Sequence, residues 1–240
     1  MIKIFRNMRK DKLEKGKTSS YLKYAIGEIA LVMIGILLAV QINNWNEDRK
    51  VKNELQNILK TIASDLQRDT MVASSVIQLY DTIEANSVRV VNKEINKKNY
   101  KKYPMLRSLV TLYSPYSVQT KGYDMLKSYS NKNEIQNDTL VSAINQFYVP
   151  FIQLINDNNE MVKKEVLENI DAFKEKSWFV DWTQNRFTPE MVNYFTQSED
   201  YRKKVAANLI FAIRNHKNVI VAYKGQAARI IKVIKEKTED

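Results

Sequence analysis

One histidine, His216, and no cysteine leave little metal or nucleophile chemistry open to this sequence of 240 residues. Without cysteine there is no thiolate nucleophile, no disulfide and no thiolate-held zinc or iron–sulfur site. His216 falls one turn after Ala212 on the apolar stripe of the last helical segment, the place of a packed or interfacial side chain. Carboxylates recur at helical spacing as Asp65 with Asp69 and Asp171 with Glu175. Such pairs suit Ca or Mg better than a transition metal, but the Lys and Arg around them point to solvated helix faces. A glycine-rich phosphate loop, a Gly-x-Ser-x-Gly elbow and a His-Glu-x-x-His helix are all missing from the sequence. The expectation is a protein that is not an enzyme, with no catalytic residue, no metal and no cofactor. The costly residue that remains is Glu28, because a carboxylate beside hydrocarbon is a functional candidate by default.

Glu28 sits in the first turn of an apolar run, residues 25–42, interrupted only by itself and by Gln41. At the helical rise this run spans roughly 27 Å, enough for the hydrocarbon of a bilayer. Taken strictly, Ile29 to Val40 is a twelve-residue apolar stretch that a buried core helix could also show. The flanks favour a membrane span: Glu28 and Gln41 lie at its ends, and Tyr21, Tyr24 and Trp45 stand where interfacial aromatics are expected. Residues 1–24 form a basic leader of net charge +6, whereas the charges just after the span cancel. The bias that retains Lys and Arg on the cytoplasmic side puts the leader inside and residues 46–240 outside. A cleaved signal peptide also starts basic, but its basic region here is unusually long and no convincing small-x-small cleavage site precedes Trp45. Gly27, Gly35 and Ala39 place small residues along the span, so that this face, with Glu28, is a candidate contact for a second membrane helix.

The rest of the chain must be helical, since 5 Gly and 4 Pro cannot supply the turns of a sheet-rich fold. From Leu55 through Leu59, Ile62, Leu66, Ala73, Val76, Tyr80 and Ile83 the apolar steps alternate between three and four, with Asp69 as the polar break. This predicts a helix continuing from the span to about Val91. A Lys-rich loop at 92–103 follows, then a short apolar helix from Pro104 to Ser114 and another around Gly122 to Ser130. Asn137, Asp138 and Thr139 offer caps to a long helix kinked at Pro150. Thr188-Pro189-Glu190 and Ser198 read as further helix starts. The aromatic run containing Trp178, Phe179 and Trp182 is either the plug of a helical core or a candidate interaction surface. The fold class expected is all-α: an N-terminal transmembrane helix continuing into an elongated antiparallel helical bundle.

The net charge of +11 sits at the two ends, +6 in residues 1–24 and +4 in 214–240, leaving the body almost neutral. That distribution argues against a nucleic-acid partner, which would call for charge on a folded face. The internal cluster Lys93, Lys97, Lys98, Lys101 and Lys102 reads as a solvated loop between helices.

Residues 21–50, YLKYAIGEIALVMIGILLAVQINNWNEDRK, resemble a bacterial family of unknown function whose members are small proteins with one membrane span near the N-terminus. The shared features are Gly-Glu-Ile at 27–29, Ile-Gly-Ile at 34–36 and Ile-Asn-Asn-Trp-Asn at 42–46. Further on, Leu126-Lys127-Ser128 with Ile135, Asn137 and Leu140 follows the family's outline, with Tyr129-Ser130 in place of its Ser-Gly turn. The resemblance implies a tethered helical protein and brings no activity. The expected role is therefore that of a single-pass protein of the bacterial inner membrane with a periplasmic domain. Its partners would be the lipid bilayer and either another protein, a small signal or a second copy of itself. A structural subunit of a larger membrane assembly is the alternative.

Overall fold

The computed structural model describes residues 18–133 and 138–239; the basic leader before residue 18, Ile135 and Asn137 lie outside them, as do the side chains of Tyr21 and Tyr24. The elements are α1 (Thr18–Val91), α2 (Lys121–Asn133), α3 (Thr139–Lys174), α4 (Phe179–Thr183), α5 (Pro189–Gln197), α6 (Glu199–Asn208), a π-helical segment (Leu209–Lys217) and α7 (Asn218–Glu239). Two 3-10 turns, Tyr100–Lys102 and Pro104–Arg107, lie between α1 and α2. Among the described residues there is no strand, so the chain is all-α.

Two compact units divide the chain, one up to Leu55 and one from Gln56. In the first, α1 carries an 18-residue window of mean hydropathy 2.3 that is not buried anywhere. A helix surface so apolar needs an apolar surrounding. This one is long and apolar enough to cross a membrane. Residues 43–46 remain helical, and Arg49 lies over the exposed Trp45 ring at 5.6 Å.

In the second unit, the expected seam of α1 is buried: Leu59, Ile62, Leu66, Ala73, Val76, Tyr80 and Ile83 face the core, whereas Leu55, the last residue of the first unit, is only half-covered. Beyond Val91 the helix stops in a Schellman arrangement. Glu94 N–H donates to the Arg89 carbonyl (2.9 Å) and Lys93 N–H to Val90 (3.0 Å), with Lys93 in the left-handed region at φ 61.

The apolar helix expected over Pro104 to Ser114 does not form. After the 3-10 turn at Pro104 the chain runs as an irregular strap to residue 120, with Leu106, Leu109, Val110 and Tyr116 buried. Buried backbone outside a helix or sheet needs other partners, and side chains from the surrounding helices provide them. Asn208 Nδ2 donates to the Leu109 carbonyl (2.9 Å), Asn169 Nδ2 to Val110 (3.1 Å) and Trp182 Nε1 to Arg107 (3.0 Å). The Tyr201 hydroxyl donates to Leu106. Asn159 grips Tyr116 from both sides, giving to its carbonyl (2.7 Å) and receiving its N–H (3.1 Å).

The helix starts follow the capping chemistry read above. Asp138 accepts from Leu140 and Val141 N–H, Thr188 from Met191 and Ser198 from Tyr201; each such cap contributes about 1 kcal/mol. Pro150 lies inside α3 without ending it. Along the last helical stretch the buried positions are Tyr201, Val205, Asn208, Ala212, Ile213, His216, Ile220, Tyr223, Ala227 and Ile234. Leu209, Val219 and Ile230, apolar residues of the same stretch, are only half-buried. The π-helical segment accounts for the slip, since its wider turn moves the register by a residue, and Asn208 takes the inward place because the Leu109 carbonyl requires a donor.

Candidate functional site

The polar break in the α1 seam proves to be the centre of a buried cluster. Asp69 is only 2% exposed and Asp65, one turn before it, 7%, so the solvated face expected for this pair is not what forms. Both carboxylates are needed inward, because the strap and the start of α2 bring unpaired backbone N–H groups against α1. Asp65 Oδ2 accepts from Gly122 N–H at 2.8 Å, and Asp69 accepts from Gln119 N–H at 3.0 Å and from the Tyr223 hydroxyl at 2.6 Å. The Tyr116 hydroxyl donates to the Asp69 carbonyl at 3.1 Å, and its ring meets Tyr223 edge-on with centroids 5.6 Å apart. Three other segments thus reach the two carboxylates of α1: the strap through Gln119, α2 through Gly122 and α7 through Tyr223. The other carboxylate pair behaves as expected, with Asp171 exposed and paired to Lys174 at 2.6 Å.

Close approach at this point depends on Gly122. A β-carbon there would lie 2.7 Å from the Ile62 nitrogen and 2.9 Å from its α-carbon, so α2 touches α1 backbone to backbone. Glycine allows the Gly122 N–H to reach Asp65.

The electrostatics follow from burial. Desolvation holds the Asp69 carboxyl above the usual carboxylate range and Asp65 adds repulsion, while the Tyr223 and Gln119 hydrogen bonds and Arg68 pull it back. Burial and the two carboxylates push the Tyr148 hydroxyl well up, and burial with Asp69 does the same to Tyr116 and Tyr223. The Tyr148 hydroxyl is buried without a hydrogen bond, its ring stacked on Tyr123 at 4.4 Å. A protonated tyrosine donating to a buried carboxylate orders side chains and backbone; no nucleophile is generated by it.

His216 is fully buried in the π-helical segment, edge-on to Tyr80 with centroids 5.4 Å apart, and neither ring nitrogen completes a hydrogen bond. Burial holds its pKa below the usual value, and the nearby Ser114 carbonyl pulls weakly the other way. That carbonyl accepts instead from the Tyr80 hydroxyl at 3.3 Å, and burial pushes the Tyr80 hydroxyl up to about 12. Beside it, Lys217 joins the π-helical segment to α1 through Asp81 (2.8 Å) and Glu84 (2.5 Å). Among the described residues no group of three His, Asp or Glu side chains converges to hold a metal.

The membrane-helix candidates are spread along the exposed part of α1: Gly27, Gly35 and Ala39 are exposed and Glu28 is half-covered. A β-carbon added at Gly27 or at Gly35 would meet nothing within 4 Å. The aromatic candidates separate by depth. Trp178 is 2% exposed and packs on Phe173, Tyr194 and Phe195 at centroid distances of 5.4, 5.3 and 5.5 Å. It therefore plugs the core, whereas Phe179 and Trp182 stack on each other at 5.7 Å and remain half-exposed. Sequence reasoning missed Tyr116, Tyr148 and Gly122; the signal available was Asp69, an acid standing at a core position of an otherwise apolar seam.

Comparison with curated proteins finds no match, and comparison with solved structures finds none either. A family model described as a family of unknown function, DUF6090, matches residues 28–184. That span begins inside the apolar run and takes in Asp65, Asp69, Tyr116 and Tyr148, leaving Tyr223 and His216 beyond it. With well over half its length inside the match, the chain belongs to the DUF6090 family of unknown function.

Proposed function

We propose that this chain is a non-enzymatic, single-pass protein of the bacterial inner membrane, with a cytoplasmic leader and a periplasmic helical bundle that binds a protein partner. The observation that carries the reading is the uncovered apolar window of α1. Its 18 residues average 2.3 in hydropathy with none of them buried. At about 25 cal/mol per Å2, leaving that surface in water would cost far more than a domain's net stability, so lipid is its natural solvent. The charge difference of the flanks supports the orientation. A protein partner is favoured over a small signal because Asp65 and Asp69 are buried and taken up by Gly122, Gln119 and Tyr223, while Val149, Leu154 and Leu167 of α3 stay exposed.

The test is extraction and protease access. Carbonate-washed membranes should retain the protein until detergent is added, and protease added to intact spheroplasts should remove a C-terminal tag. Release without detergent, or a tag cut only after permeabilisation, would overturn the reading. The structural-subunit alternative draws on the open space at Gly27 and Gly35. It predicts that Gly35→Leu abolishes crosslinking between copies, and unchanged crosslinking removes it.

A further inference from the structure

The lysine cluster between α1 and α2 is not a slack loop. Asn99 Nδ2 donates to the Glu94 carbonyl (2.9 Å), Asn96 N–H to Asn99 Oδ1 (2.8 Å) and Lys98 N–H to Asn96 Oδ1 (2.9 Å). Tyr100–Lys102 then closes as a 3-10 turn. The result is a hydrogen-bonded knuckle holding its lysines outward: Lys93, Lys97, Lys98, Lys101 and Lys102 are all exposed. Residues 89–107 carry seven cations and one acid, a net of +6. Among the described residues none of the seven forms an ion pair, since the salt bridges lie elsewhere. Glu94, the lone acid, is taken by Asn92 at 3.2 Å.

An apolar edge adjoins the knuckle. Tyr100 packs on Phe187 at 5.6 Å, and the Arg107 guanidinium lies over the same ring at 5.9 Å with its Nη1 buried and unpartnered. Phe187 is nevertheless 40% exposed, and Val180, two residues before Trp182, is 60% exposed. Concentrated positive charge without counter-charge, beside an exposed aromatic ring, is the chemistry of an interfacial lipid contact.

We propose that this knuckle, with Phe187 beside it, docks on an anionic lipid surface. Lysine rather than arginine dominates, which suits diffuse attraction to a charged headgroup layer more than bidentate capture of carboxylates. Protein interfaces are depleted of lysine at their centres, so an acidic protein is the poorer fit. The contact is independent of which side of a membrane the domain occupies and of the anchor itself.

The test uses the full chain in phosphatidylcholine nanodiscs, with the Lys and Arg of residues 1–24 replaced by Gln throughout so that the leader contributes nothing. Sucrose-loaded vesicles containing about 30% phosphatidylglycerol should pull the protein down at about 0.1 M salt, and pure phosphatidylcholine vesicles should not. Replacing Lys97, Lys98, Lys101 and Lys102 by Gln together should reduce the partition constant about fivefold per lysine. Phe187→Ser should weaken binding, and Val149→Ser on α3 should leave it unchanged. Equal pull-down of the quadruple variant, or equal binding to neutral vesicles, overturns the proposal. Loss of pull-down together with loss of cooperative unfolding of the variant would be checked against Lys97→Arg/Lys98→Arg, which must retain binding. Carbonate extraction reads the anchor separately, so a failure there leaves this result standing.

Discussion

Replacing Asp69 separates its two jobs, accepting hydrogen bonds and carrying a buried charge. Asp69→Ala strands the Gln119 N–H (3.0 Å) and the Tyr223 hydroxyl (2.6 Å) in a buried site. Each orphaned donor costs about 1–3 kcal/mol, and removing a poorly solvated carboxylate returns part of that, for a net loss of about 2–4 kcal/mol. In a domain of this size 1 kcal/mol moves the melting temperature by about 2–4 °C, so the Ala variant should melt roughly 5–15 °C lower. Asp69→Asn keeps an acceptor and sheds the charge, and it should stay within about 1 kcal/mol of the parent at neutral pH. The pH dependence discriminates further. Burial raises the folded-state pKa above the usual 3.8, so the stabilisation that comes with protonation is complete below 3.8 and is lost as pH rises through the raised value. Acidification toward 3.8 should therefore raise the stability of the parent relative to Asp69→Asn. The assay is thermal unfolding in detergent, followed by the fluorescence of Trp178 and Trp182, whose environment belongs to the folded second unit. If Asp69→Ala melts with Asp69→Asn, and neither differs from the parent in pH slope, the buried-acceptor argument is wrong.

His216 should show the opposite pH signature: its pKa is held below 6.5 by burial, so its contribution is present above 6.5 and is lost as pH falls through the folded value. His216→Leu should flatten the melting profile on acidification, as tracked by the same fluorescence. Gly122→Ala forces a β-carbon to 2.7 Å from the Ile62 nitrogen; backbone cannot rotate away, and a loss of about 1–3 kcal/mol is expected as a lower urea midpoint with unchanged m. Lys93→Gly relieves the left-handed conformation at φ 61 and should stabilise by about 1 kcal/mol, read as a higher urea midpoint. Trp178→Ala should cost about 3–5 kcal/mol by opening a cavity in the aromatic core, and Val180→Ser on the surface less than about 0.5 kcal/mol in the same urea titration.

Much of the secondary structure was legible in residue pattern because it depends on local physics. The three-and-four spacing from Leu59 to Ile83 exposes one apolar stripe at helical period whatever surrounds it, and this stripe is the buried one. Asp138, Thr188 and Ser198 cap because their oxygens satisfy N–H groups two or three residues away, a bond that needs no distant partner. The apolar run at 25–42 is read from composition alone, since none of its hydropathic window is buried against the rest of this chain.

What lay beyond that reading was decided by groups far apart in sequence. Pro104 to Ser114 is apolar enough for a helix, yet Asn169, Trp182, Tyr201 and Asn208 satisfy its backbone instead, across separations of 59 to 99 residues. Asp65 and Asp69 look like a solvated pair until the Gly122 and Gln119 N–H groups and Tyr223 arrive from three other segments to turn them inward. The depth of Trp178 against the exposure of Val180 and Phe187 likewise depends on where Phe173 and Phe195 pack. Local hydrogen bonding and periodicity determine the helices; the buried cluster and the strap exist only once non-local donors and acceptors meet, because an unpaired polar group in the core costs more than a helix turn returns.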